Sequence, residues 1–303
     1  MGDVPAQQNR LFGIAMRAGA ATCFGFMAAA IKLGEDAGIG TLELVFYRFA
    51  FGMVPLLAWI GWRRDFGAWR TRRPLTHIGR AVLGLVTMTM TFSALAWLPL
   101  AEATTMGFVA PLFAVMLSAL ILREPVGRHR WSAVAIGLAG VAVVMQPGGS
   151  ALPLPGLVIA LAGAIGVAAV TITLRQIGRT ERPATVVLWF TTFSMIVTGA
   201  IMPFVGRAHD AHQWLLLAGV GAAGGVGQLL MTASLKLAPV PVVVPFDYVQ
   251  LIWAVLLGWL IWDTHPLPST WAGAAVIVAS GLYTIYREHR LGRDKPHPSP
   301  LAG

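Results

Sequence analysis

The chain has 303 residues, of which 56% are hydrophobic and only 12% charged, against about 25% charged residues in a soluble domain. So little polar surface cannot cover a water-soluble core of this size, which excludes a soluble enzyme and a disordered chain. The formal net charge of +9 fits either nucleic-acid binding or basic loops beside a membrane. The single cysteine, Cys23, excludes an intramolecular disulfide and a cysteine-based zinc cluster.

A bilayer-spanning helix needs roughly 20 mostly apolar residues. Ten stretches qualify, at about 11–33, 41–62, 78–98, 103–122, 131–146, 156–175, 184–205, 214–235, 242–262 and 270–286. The first passes Ala28-Ala29-Ala30, which resembles a leader cleavage site, but it is long and Arg17 interrupts it. The segment from Arg63 to Arg80 mixes arginines with Phe66 and Trp69 and is expected on the anionic inner leaflet. The fourth and ninth spans contain Pro111 and Pro245, which remove backbone hydrogen bonds and favour kinks; both are expected to act in gating. The run QPGGSALPLP, residues 146–155, reads as a turn between the fifth and sixth spans. The eighth span carries Gly219, Gly221, Gly224, Gly225 and Gly227, a small-residue face suited to close helix contact. The polar, proline-containing tail, residues 288–303, is expected to be disordered.

Ten spans put both termini on one side. The termini and loops of that side hold 19 of the 22 basic residues, Arg17 and Arg80 counted among them. This one-sided bias places both termini in the cytoplasm. Basic residues spread along loops, rather than gathered on one helix face, argue against a nucleic-acid partner.

The two halves resemble each other at an offset of 140 residues. Pro99 falls on Pro239, Val115 on Val255, Leu117 on Leu257, Trp131 on Trp271, Gly84 on Gly224 and Phe108 on Tyr248. At an offset of 141, Gly25 falls on Gly166 and Gly140 on Gly281. Each half, 1–150 and 151–287, therefore holds five spans. An odd number reverses direction, so the halves form an inverted repeat of the kind found in secondary transporters.

On these residues, the chain resembles the drug/metabolite transporter superfamily in its EamA-type ten-helix form. The resemblance covers about residues 11–287. It rests on Phe24-Gly25 through Ala30-Ile31-Lys32, on Phe46-Tyr47-Arg48-Phe49, and on the stretch SALAWLPLAEATTMGFVAPLFAVMLSALILREPVGRHRWSAVAIGLAGVAVV, in which Pro111 and Glu124 hold the family's proline and glutamate positions. The second half departs from the pattern: Arg123-Glu124 becomes Asp263-Thr264, and Leu251 replaces Pro111. The resemblance implies an all-α membrane protein of ten helices around a central cavity, the fifth and tenth peripheral. It further implies a carrier of small metabolites in a bacterial-type cytoplasmic (inner) membrane. YddG-like amino-acid exporters are the nearest type, and exporters of other metabolites or organic cations the alternative.

A charge at mid-membrane costs roughly 2.5–3.5 kcal/mol or more, so each intramembrane charge needs a reason. Asp247, in VVVPFDYVQ, is expected to bind a substrate amino group or carry a proton; a structural pairing near the interface is the competing reading. Gln250 lies three residues on, on nearly the same helix face. Arg48 is placed either to bind a substrate carboxylate in two-point fashion or to tie helices together. Lys32 is expected to snorkel outward or to pair with Glu35, Asp36 or Glu102, with Glu43 and Glu102 as outer-rim charges. Trp97, Phe92 and Tyr248 lie in spans that line the family's cavity. Thr89 and Ser93 share one face of the third span, although such hydroxyls often bond the preceding turn instead.

No nucleotide-binding loop and no intramembrane catalytic constellation is present, so neither a cofactor nor a metal is expected and an enzyme is disfavoured. A complete repeat suffices as a monomer, with a weak dimer the alternative.

Overall fold

The computed structural model describes residues 6–64, 66–123, 126–145, 152–178 and 180–293. It is all helical: α1 (Ala6–Asp36), α2 (Thr41–Arg63), α3 (Pro74–Trp97), α4 (Leu100–Gly107), α5 (Ala110–Ile121), α6 (Arg128–Met145), α7 (Leu154–Ile177), α8 (Pro183–Val205), α9 (Ala211–Leu237), α10 (Val240–Val243), α11 (Val249–Trp262) and α12 (Pro268–Arg293), with short 3-10 turns at Phe66–Trp69 and Val244–Tyr248. These form ten rods, because α4 continues into α5 and α10 into α11. Among the described residues, eight rods are long and apolar enough to cross a membrane. The other two, α6 and α12, begin or end in basic residues and pack along each other.

Local chemistry explains the ends. Proline opens the first turn of α3, α5, α7 and α8, where its missing N–H is no loss. Asp210 caps α9: its carboxylate accepts from Gln213 N at 2.8 Å while Gln213 Oε1 accepts from Asp210 N at 3.1 Å, a capping box.

The packing has two-fold symmetry. Exchange α1 with α7, α2 with α8, α3 with α9, α5 with α11 and α6 with α12. The packing of α1 on α9 then becomes that of α7 on α3, α2 on α9 becomes α8 on α3, and α1 on α11 becomes α7 on α5. The pairs α2–α8 and α6–α12 map onto themselves. The sequence offset has its counterpart here: Gly84 packs on Phe190, and its mate Gly224 packs on Arg48. The α6–α12 contact is a backbone approach in which a Cβ on Gly273 would stand 2.6 Å from the carbonyl oxygen of Gly140. This peripheral pair matches the fifth and tenth helices of the expected basket.

α1 is a core helix, with Ala28, Ala29 and Ile31 buried in one cluster with Leu44, Phe49, Leu217 and Val220. α12 continues to Arg293, beyond the point where the polar tail was expected to begin. Residues 294–303, Glu124 and most of the turn at 146–155 lie outside the described residues.

The glycine face of α9 lies on α2: a Cβ on Gly225 would meet Pro55 Cγ at 2.6 Å and Gly52 Cα at 3.0 Å. Neither backbone nor ring can yield cheaply. Gly225→Val is therefore expected to destabilise the protein by about 1–3 kcal/mol or more, read as a lowered melting temperature in detergent, whereas Gly219→Ala, with open space at its Cβ, is expected to leave it unchanged.

Candidate functional site

Two rods break inside the membrane. In the fourth, α4 stops at Gly107 and α5 starts at Ala110. Between them Phe108 N bonds Thr105 O at 3.1 Å and Val109 N bonds Met106 O at 3.2 Å, a tighter i to i+3 pattern. In the ninth, the 3-10 turn Val244–Tyr248 separates α10 from α11. Pro111 follows the first break and Pro245 lies inside the second. The breaks occupy equivalent positions of the repeat and touch: the rings of Phe108 and Tyr248 pack with centroids 4.7 Å apart.

Beside this pair lies a cavity of about 430 Å³ lined by Gly107, Phe108, Pro111, Thr171, Asp247 and Gly281 among others, within the roughly 300–1,000 Å³ of small-molecule sites. It is mostly apolar. Asp247 is the one carboxylate in its described lining, and Arg130 and Arg175 stand in the same wall. The repeat mate of Asp247 is Gly107, so the frame is symmetric and the chemistry is not.

Asp247 is held by Arg17 of α1. Nε donates to Oδ1 and Nη2 to Oδ2, each at 2.5 Å, the two-point fork in which a guanidinium matches a carboxylate. The Arg17 side chain is 9% exposed and that of Asp247 33%, so one edge of the carboxylate is sealed and the other faces the cavity. Tyr248 is fixed by its neighbour as well, since a Cβ on Gly281 would stand 2.5 Å from its Oη.

The remaining expected residues separate. Gln250 is half-buried and does not line this cavity. Trp97 is 51% exposed and rests against Gly156 at the start of α7. Phe92 is buried in the core with Val45 and Phe49. Thr89 returns its hydroxyl to Leu85 O at 3.0 Å, the backbone alternative to a cavity role, and Ser93 is half-buried on the same helix face. Arg48 is 7% exposed between α2 and α9, away from Asp247.

Three peripheral charges behave differently from the reading of the sequence. Lys32 turns inward and donates to Leu95 O at 3.0 Å and Leu98 O at 3.2 Å, closing the free carbonyls at the end of α3. Glu43 and Glu102 are each 2% exposed rather than on an outer rim. Glu43 accepts from Arg207 N at 2.8 Å and Gly40 N at 3.1 Å, with His209 Nε2 at 3.2 Å; Glu102 accepts from Thr270 Oγ1 at 3.0 Å. Both sit in the first turn of a helix, where N–H groups and the helix dipole favour a carboxylate. Sequence reasoning also missed Arg17 and Arg80, which it counted as flanking charges; both are 8% exposed inside helices. The available signal was Arg17's place well inside an apolar run opposite a lone intramembrane acid.

Comparison with known proteins gives the same frame. The model of the EamA-like transporter family matches residues 11–146 and 154–286. A riboflavin transporter of Rhizobium johnstonii is 30% identical over 82% of this chain and 82% of its own length. A pseudopaline exporter of Pseudomonas aeruginosa is 26% identical over 88% of this chain and 94% of its own. A crystal structure 21% identical in sequence superposes with a TM-score of 0.61 over 94% of this chain and 98% of the other, a likeness of fold.

Removing one partner of a buried ion pair leaves the other charge uncompensated. Asp247→Asn and Arg17→Gln are each expected to lower the melting temperature, and the double variant to recover most of the loss. Additive losses in the double variant would show that the pair is not coupled in solution.

Proposed function

Because the chain belongs to the EamA-like transporter family, and so is a multi-pass membrane transporter of small metabolites, we propose that it exports neutral amino acids, aromatic or aliphatic, by alternating access. The proposal sets it in a bacterial cytoplasmic (inner) membrane with both termini in the cytoplasm. The observation that carries it is the single carboxylate of a mostly apolar cavity, positioned at a helix break with one edge open.

A substrate ammonium group offers Asp247 what Arg17 now supplies, positive charge with N–H donors. Exchange of one for the other frees Arg17 and with it the contact between α1 and the second break. The Phe108–Tyr248 pair provides an apolar wall for the side chain, and Gln250, three residues on from Asp247, lies close in sequence to the same turn. The kinked fourth and ninth rods then rock against the rest, opening one face as they close the other.

Organic cations or other metabolites are the second reading. A lone acid in an apolar cavity recognises an amine whether or not a carboxylate accompanies it, and the relatives are named for different cargoes.

Flux of labelled neutral amino acids through liposomes holding the purified protein tests the proposal. Saturable flux, competed by unlabelled amino acids and reduced at least about tenfold in Asp247→Asn, is expected. If a pH gradient drives the flux and that response disappears in Asp247→Asn, Asp247 carries the proton. Flux no greater than that of empty liposomes would remove amino acids as cargo. Pro245→Ala is expected to slow turnover while leaving substrate affinity near its original value; unchanged kinetics would reject rocking about this break.

A further inference from the structure

Among the described residues, two buried arginines have no counter-charge. Arg48 of α2 and Arg80 of α3 are 7% and 8% exposed. The guanidinium carbon of Arg48 lies 4.8 Å from the ring centre of Phe49, and that of Arg80 lies 4.2 Å from the ring centre of Phe190. The two rings meet edge to face, 5.2 Å between centres. Arg48, Phe49, Phe190 and Arg80 thus form one continuous stack with a cation at each end.

Nε of Arg48, and Nε and Nη1 of Arg80, are buried with no hydrogen-bond partner. Among the described residues neither side chain is ion-paired. Ring faces attract a guanidinium but accept none of its in-plane N–H groups. Folded proteins seldom leave such donors unmet, and two like charges held together in a low-dielectric interior repel. What the arrangement lacks is a compact anion with lone pairs in the plane of the guanidinium forks.

The space for it lies beside Arg48, in a void of about 20 Å³ that Thr191 of α8 and Gln228 of α9 also line. Gly52, Gly224 and Gly225 line it too, with Leu56, Val187 and Leu229 completing the wall. In this conformation the void is about the size of one water. Its glycine wall is the α2–α9 contact, so sliding of α9 along α2 enlarges it. The void shares no lining residue with the Asp247 cavity.

We propose that Arg48 forms an oxyanion site between α2, α8 and α9, that Arg80 of α3 at the far end of the aromatic stack adds positive charge to it, and that the carboxylate of the transported metabolite occupies it. This deepens the amino-acid reading and rests on it: the cargo meets Asp247 through its ammonium group and Arg48 through its carboxylate, at successive stations of the cycle. Inorganic phosphate presents the same oxygen chemistry and is the other source of an occupant.

The test is thermal unfolding of the full-length protein in a chloride-poor detergent buffer. It is run with phenylalanine, with phenethylamine (the same side chain and amine without the carboxylate) and with inorganic phosphate. Phenylalanine is expected to raise the melting temperature by about 2 °C at ten times its Kd, and phenethylamine by clearly less. Arg48→Lys keeps the charge but loses the fork and is expected to weaken the phenylalanine response at least about tenfold while remaining folded, whereas Arg80→Lys, which keeps its charge, is expected to retain most of the response. Arg48→Gln is expected to reduce it to the phenethylamine level and Arg80→Gln to weaken it, each with an unliganded melting temperature equal to or above that of the parent. An equal response to phenethylamine, or an undiminished response in both Arg48 variants, would overturn the proposal. A response to phosphate alone would also overturn it by assigning the site to a resident inorganic anion. The liposome experiment reads amino-acid transport separately: flux that proceeds equally with amine and amino acid rejects this site and leaves the carrier, whereas absent flux with an intact carboxylate response in unfolding rejects the cargo and leaves the site.

Discussion

Inside a bilayer a peptide group that leaves its helix has no water to bond, and the arrangement of this molecule follows from where it breaks that rule. Two rods stop and restart along their length, around Phe108 and across Val244–Tyr248. Neither break is left to lipid. Each lies against the other through the Phe108–Tyr248 contact, and both border the same cavity. The prolines that accompany them are not equivalent: Pro111 stands just after one break and Pro245 inside the other. Equivalent breaks made with non-equivalent prolines indicate that the packing of ten rods, rather than any one proline, fixes where the chain must open.

Duplication supplies the frame and divergence supplies the chemistry. The main helix contacts recur when the halves are exchanged, and Gly84 on Phe190 repeats Gly224 on Arg48. The charged residues at this level have no charged mates. Asp247 corresponds to Gly107, and Arg48 to an aromatic residue two positions from the strict offset. A symmetric scaffold offers the same geometry twice, once from each side of the membrane. A site used from both sides needs one set of polar groups near the axis, and the proposed sites for ammonium and carboxylate both lie where only one half carries charge.

The frame was legible in the sequence because its causes are local. Apolar length gave the rods, the 140-residue offset gave the inverted halves, and Pro111 and Pro245 marked the broken spans. Asp247 stood out as the lone acid in an apolar run. Its partner did not: Arg17 lies 230 residues away in the chain, and a basic residue near the end of a first span reads as a flank charge. Arg80 escaped notice for the same reason. Lys32, Glu43 and Glu102 were visible as charges but not as caps, since their partners are backbone groups that exist only once two helices have met. Phe92 and Trp97 show the converse, aromatic residues in a cavity-lining span whose rotation about the helix axis only tertiary packing decides.

The intramembrane charges divide by whether their partners can leave. Lys32 is held by carbonyls at the end of a helix, Glu43 by two backbone N–H groups, and Glu102 by a hydroxyl. None of these has a mobile counterpart in a substrate, and each fastens one rod to the next whatever the conformation. Asp247 is held instead by a side chain on a different rod, through contacts that an ammonium group can reproduce. Arg48 and Arg80 are held only by ring faces and leave their in-plane donors open. A carrier must bind charge without keeping it, so its working groups need partners whose replacement costs little. By that criterion the proposed sites, Asp247 with Arg17 and Arg48 with Arg80, are the exchangeable charges, and the caps are the fixed ones.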